Sequence, residues 1–293
     1  MKKYLRPYNT LWMSVLLFLL HSTPAAAQKS DPVLARVRYT AIHASDTLSG
    51  KPAHPENMLL FIGKHRALYT SYDKINFEIA SEASFRAKMA ARVNNGRPVA
   101  VIDEEAPAWI HDTTYQYVFD ENKWYTRETL AFQFYLSEEK APLLHWKISP
   151  DTANFSGLHC QKATLTFEGK NWIAWFAPEL PYPSGPWKLN GLPGLIVEAY
   201  DEQQDIAFRF AGIEKAQAGD HVRDYDITKR PDARPDTFNP LDQKIGRDVG
   251  SAYFDNLIHL PQNAISTSKK ELDRLKAAYK KDPKGFTKAL WGY

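Results

Sequence analysis

Residues 172–201 read W-I-A-W-F-A-P-E-L-P-Y-P-S-G-P-W-K-L-N-G-L-P-G-L-I-V-E-A-Y-D. At one end Trp172, Ala174 and Phe176 alternate with Ile173 and Trp175. At the other, Leu195, Val197 and Ala199 alternate with Ile196, Glu198 and Tyr200. Period two is the mark of a strand. Between them stand Pro178, Pro181, Pro183, Pro186 and Pro193 with Gly185, Gly191 and Gly194. Proline removes donors and fixes φ, so neither helix nor ladder can run through. The stretch therefore predicts strand, loop, strand. Upstream, Glu168-Gly169-Lys170-Asn171 forms a turn cluster after Leu165 and Phe167. Downstream, Ile206, Phe208 and Phe210 face away from Arg209. Two hairpins joined by the proline loop result, the second turning through a four- or five-residue loop because 201–205 contain no glycine.

The loop closes with Gly191-Leu192-Pro193-Gly194-Leu195-Ile196. Leu192-Pro193-Gly194-Leu195 has the composition of a type II turn, with Pro193 pre-setting φ and Gly194 supplying a positive φ. Gly191 then gives slack or close backbone approach. None of the six residues is a nucleophile, acid, base or ligand. The loop is read either as a structural closure or as the rim of a binding site.

Outward from this unit the strand rhythm continues. Alternating segments at 35–42, 58–63 and 67–72 open the domain; 99–102, 114–119 and 123–135 follow, then 143–148 and 161–167. In the longest, Leu130, Phe132, Phe134 and Leu136 share one face. Alanine-rich 78–93 predicts a helix, capped by Ser81 or Ser84 and ended at Asn94-Asn95-Gly96. Three prolines make 230–240 an extended segment. A helix runs from the Ser268 N-cap to Lys281, where Asp282-Pro283 stops it, and the tail 286–293 is apolar enough to dock. The expected fold is α+β and β-dominated: a curved antiparallel meander sheet with one or two helices packed on one face. The expected organisation is a leader at 1–27, a β-rich domain at 28–215, a proline-containing extended segment at 216–262 and a helical tail at 263–293.

The leader carries Lys2, Lys3 and Arg6, then the short apolar run Leu11 to Leu20, then Ala25-Ala26-Ala27. This is the signal-peptide pattern, with cleavage before Gln28 and delivery to the periplasm or beyond. The run is too short to cross a bilayer core, which needs about 20 residues. The leader holds three of the 37 Lys and Arg and no acid, so the remainder carries 34 basic and 34 acidic residues. Nucleic-acid binding, which wants a basic surface, loses its support. Cys160 is the single cysteine; it excludes an internal disulfide and reads as a small buried side chain.

The loop and its surroundings resemble the GLPGLI family. The resemblance is carried by the six-residue signature itself, by Cys160 to Ala163, by Trp172, Ala174, Trp175 and Phe176, and by Gly185-Pro186-Trp187-Lys188. It is strongest over 155–210 and thin after 215. It implies an exported protein of Bacteroidetes-type bacteria with no assigned reaction, cofactor or catalytic set.

Little announces chemistry. The eight histidines after the leader show no H-x-H or H-E-x-x-H spacing, so no metal is expected. No G-x-S-x-G elbow, P-loop or dinucleotide fingerprint occurs, and no cofactor is expected. Asp103-Glu104-Glu105 and Asp224 with Asp226 read as solvated acids; Glu179 and Asp201 flank the loop. No catalytic residue is assigned. Trp172, Trp175, Tyr182 and Trp187 are the candidate ligand- or partner-binding residues. Three apart on a strand, Trp172 and Trp175 face opposite sides, one for the core and the other for core or cleft. Three functions compete. One is a non-enzymatic exported protein holding a hydrophobic ligand or a partner segment on its sheet near the loop. Another is a hydrolase without a recognisable motif. The third is an accessory subunit of an outer-membrane protein, presenting the loop to its partner.

Overall fold

The structure, a computed structural model, describes residues 30–43, 54–95, 106–107, 109–131, 133–216, 252–253, 256–261 and 264–291. The leader, the expected strand at 99–102, the acids at 103–105, 224 and 226, and the proline segment 230–240 lie outside them. Alternating segments become β1 (Asp31–His43), β2 (Glu56–Gly63), β3 (Arg66–Ser71), β4 (Thr114–Val118), β5 (Lys123–Leu130) and β6 (Gln133–Lys140). They continue as β7 (Lys147–Phe155), β8 (Leu158–Phe167), β9 (Lys170–Ala177), β10 (Leu195–Asp201) and β11 (Ile206–Lys215). Short β12 (Leu257–Ile258) and β13 (Ile265–Thr267) follow. The helices are α1 (Tyr72–Asn95), α2 (Lys269–Lys281) and α3 (Pro283–Trp291).

The strands form one open sheet in the order β13-β6-β5-β4-β3-β2-β1-β11-β10-β9-β8-β7, with β12 on β1. Two meanders are thus spliced where β1 pairs antiparallel with β11; only β13 against β6 is parallel among the described strands. Tight turns make the hairpins. Ser156-Gly157 and Glu168-Gly169 both place two residues at positive φ, as a type I′ turn requires. Asp201 to Ile206 is the anticipated longer loop, and Asp201 accepts from the Ile206 amide at 2.7 Å.

Four local expectations change. The strand expected at 143–148 begins only at Lys147 and runs on to Phe155, residues 141–146 being irregular. The segment 123–135 is a hairpin and not one strand: Leu130 pairs with Gln133, and Ala131 takes φ 50°. Even positions of β5 therefore share a face with odd positions of β6, and Leu130 parts from Phe134. No glycine or proline marks that turn. Helix α1 starts at Tyr72, directly after β3, with the Ser71 hydroxyl accepting from the Lys74 amide at 3.0 Å. The cap is Ser71 and neither Ser81 nor Ser84; Tyr72, read as the end of a strand, packs on the sheet together with buried Ile75. On β10, Ile196 pairs with Phe176 and Glu198 with Trp175, so Val197 is a bulge. The bulge sends Val197 to join Cys160 and Ala177, while Leu195, Ile196 and Ala199 share the main core.

Curvature follows from one contact. Trp124 on β5 and Phe167 on β8 lie eight strand steps apart, which in a flat sheet is about 40 Å. Their ring centroids are 5.8 Å apart. The sheet is curled, and its concave face carries the main core, including Tyr39, Leu60, Tyr69, Trp172, Phe176 and Phe208. On the other face, Ile75 of α1 meets Leu59, Phe61 and Leu68. At the β6 end of the sheet, on the face that carries Trp124 and Glu139, Leu272 of α2 packs on Leu130 and Tyr135, with Phe286 of α3 beside it. The Ser268 hydroxyl caps α2 as expected, and Pro283 ends α2 yet opens α3, as suits a first-turn proline. Among the described residues, no helix is long and apolar enough to cross a membrane.

Candidate functional site: a cavity on the concave face

The proline loop lies over the concave face. Leu189 and Leu192 are buried in the main core, and the Tyr39 hydroxyl donates to the Ile196 carbonyl at 2.6 Å. Backbone bonds tie the loop to itself and to β10, among them Gly191 N to Pro183 O, Leu195 N to Leu180 O and Ile196 N to Ser184 O at 2.9–3.1 Å. The Trp146 indole donates to the Asn190 carbonyl at 2.8 Å. A loop so bonded is a fixed cover.

Its glycines work in the reverse of the expected roles. Gly191 takes the positive φ, 85°, in open space; Gly194 does not, and a Cβ there would sit 2.3 Å from the Ala177 carbonyl oxygen. The type II reading therefore fails: what Leu192-Pro193-Gly194-Leu195 needs is room for backbone against β9. Gly185 is similarly pressed, 2.7 Å from the Leu189 carbonyl oxygen and 2.8 Å from Ile196. Lys188 is buried under Glu139 of β6 at 3.5 Å and Glu168 of the β8–β9 turn at 3.1 Å, with its ammonium over Trp124. One lysine thereby joins the loop to both wings of the sheet.

Between loop and sheet is a cavity of about 190 Å³. Alternate residues of separate strands build its apolar wall: Met58 of β2, Trp172 of β9, and Ile206 and Phe208 of β11, closed by Trp187 of the loop. Trp172 is stacked on Phe208, with centroids 6.1 Å apart and planes at 13°, and Trp187 lies 5.6 Å from Trp172. Trp187 holds φ 55°. A bulky residue in that region is strained, and such strain gathers where geometry serves function.

The polar wall comes from His43, Glu56, Tyr69, His111, Thr113 and Tyr115. Glu56 is buried, and accepts from the His111 amide at 2.9 Å and from His111 Nδ1 at 2.5 Å. The His43 ring stands 5.1 Å from that of His111. Burial pushes the Tyr69 hydroxyl well above its ordinary value, helped by Tyr39, Glu56 and Tyr115 nearby. Burial likewise pushes Tyr115 up to about 12, against a bond from the Trp187 indole. Both phenols stay protonated at neutral pH and act as donors, not bases.

Of the four candidate aromatics, Trp172 and Trp187 come together in this cavity. Trp175 points the other way, 5.4 Å from Phe155, with the Lys162 ammonium over its ring. Tyr182 packs on the main core from the loop without lining the cavity. The polar wall escaped sequence reasoning. Its members come from β1, β2, β3, β4 and the residues just before β4, and no spacing in the chain links Glu56 to His111. Elsewhere, Cys160 is fully buried and its thiol is pushed up to about 11 by burial, as befits a packing residue. Glu179 accepts from the His159 amide, and Asp201 is bonded to Lys170 and Ile206. Among the described residues, no three His, Cys, Asp or Glu gather as a metal site.

No family model and no curated protein matches the chain. Among solved structures it is similar to PNGF-II in two crystal forms. With the P21 form the TM-score is 0.41 at 11% identity, over 64% of this chain and 29% of that one. With the C2 form the TM-score is 0.46 at 9% identity, over 83% and 32%. The chain thus spans less than a third of the PNGF-II chains. Likeness at this level carries no argument about function.

Proposed function

We propose that this chain is an exported, non-enzymatic binding protein that encloses a small hydrophobic ligand between its concave sheet and the proline loop. The observation that carries the reading is the cavity of about 190 Å³ walled by Trp172, Trp187, Phe208, Ile206 and Met58. An apolar cavity of about 150 Å³ suffices for a benzene ring, whereas drug-sized ligands occupy about 300 Å³ or more. The cargo is therefore a single ring or a short aliphatic, and not a lipid anchor. The leader and the resemblance to exported GLPGLI proteins support an envelope setting.

Native mass spectrometry of the protein taken from the exported fraction of its own cells tests this. A reproducible small adduct, lost on gentle activation and absent from denatured samples, is expected. A clean apo mass in repeated preparations overturns it.

A second reading, hydrolysis, draws on the Glu56–His111 pair, since a buried carboxylate orienting an imidazole is a general-base arrangement. It predicts turnover of small esters that vanishes in His111→Ala.

A further inference from the structure

Resting on the ligand-binding reading, the polar wall narrows the ligand's chemistry. Tyr69 is 3% exposed and its hydroxyl has no hydrogen-bond partner among the described residues. A buried hydroxyl left so costs about 1–3 kcal/mol. Tyr69 lines the cavity, as does Glu56, whose carboxylate lies within electrostatic reach of the phenol. The polar wall thus holds both a protonated phenol and a carboxylate.

Three kinds of ligand group can be set against that pair. A carboxylate would bring a second negative charge against Glu56 in a poorly solvated space. An ammonium has three donors and no acceptor, so it could pair with Glu56 but would leave the Tyr69 O–H without an acceptor. A hydroxyl has one donor and two lone pairs, so it satisfies both wall groups at once. We propose that the cavity reads a neutral hydroxyl on a single ring, a phenol or a cyclic alcohol, which accepts from Tyr69 and donates to Glu56. The ring lies in the cavity against the apolar wall that Met58, Trp172, Trp187, Ile206 and Phe208 form.

Calorimetric titration of the full chain at pH 7 with phenol, toluene and benzylammonium tests the assignment, alongside Tyr69→Phe. Phenol binds about five- to tenfold more tightly than toluene, the worth of one or two neutral hydrogen bonds. Tyr69→Phe erases that preference and leaves toluene affinity unchanged. Its melting temperature equals or exceeds the parent's, because only the unpartnered oxygen is gone. Equal affinity for phenol and toluene overturns the hydroxyl assignment while leaving the ring site standing. So does tightest binding of benzylammonium, or a phenol preference that survives Tyr69→Phe. If neither phenol nor toluene binds, the ligand-binding reading itself falls.

Discussion

A methyl group added at Gly194 would enter the Ala177 carbonyl, whereas one added at Gly191 would meet nothing but an unfavourable φ. Gly194→Ala therefore forces two backbone segments apart, and we expect a loss of about 3 kcal/mol, the upper end for overpacking. Gly191→Ala costs only the left-handed strain, about 1 kcal/mol. Urea unfolding of the two variants checks the order; a larger loss at Gly191 would contradict the assigned roles. The glycines were legible as loop formers in the sequence, but their division of labour was not. It depends on what lies 2.3 Å away from one of them, a fact of packing and not of composition. Asp201 makes a pH argument at the same scale. Burial alone would raise its carboxyl; the Lys170 ammonium and the Ile206 amide outweigh burial and hold it below the ordinary range. A depressed carboxylate stabilises the fold fully above its unfolded value, about pH 4, and the contribution disappears as pH falls through the folded value. Asp201→Asn should cost about 1–3 kcal/mol at pH 7, with the gap to the parent narrowing below about pH 4. A gap of the same size at pH 7 and pH 3 would show that the charge is not what matters.

Among the elements, the proline loop is decisive, and Lys188 is its fastening. Replacing it by Met keeps the stem over Trp124 but removes the link to Glu139 and Glu168. The Leu189 and Gly191 amides, bonded within the loop, should then exchange about tenfold faster, the effect of losing some 1.4 kcal/mol of local stability. Unchanged exchange would mean that the leucines alone hold the cover down. Strands were the most legible elements because period two is a local pattern: Leu165 to Phe176 and Ile206 to Phe210 formed as read. Where a turn lacked glycine or proline, as at Ala131, or where a bulge reset the register, as at Val197, the pattern pointed to the wrong face. The start of α1 was hidden for a related reason. Tyr72 continues the alternation of 67–71 and looks like more strand, and only the Ser71 cap distinguishes it.

At the scale of the whole molecule, the curl of the sheet makes the site. It brings Trp124 of one wing against Phe167 of the other and leaves the space that Trp187 closes. Half of that site, Trp172 and Trp187, could be singled out from aromatic density near the loop. The other half, Glu56 with His111 and Tyr69, could not, because residues from β2, β3 and the connection before β4 meet only once those neighbouring strands have paired, and no spacing in the chain marks the pairing. The central claim is that loop and concave face enclose a space for one ring. Diffraction from crystals of the protein soaked in iodobenzene, collected for the anomalous signal of iodine, tests it most directly. The account predicts one dominant peak inside the cavity, against the wall of Met58, Trp172, Trp187, Ile206 and Phe208, with the loop unmoved. A cavity closed by those side chains, or iodine bound only elsewhere, would contradict it.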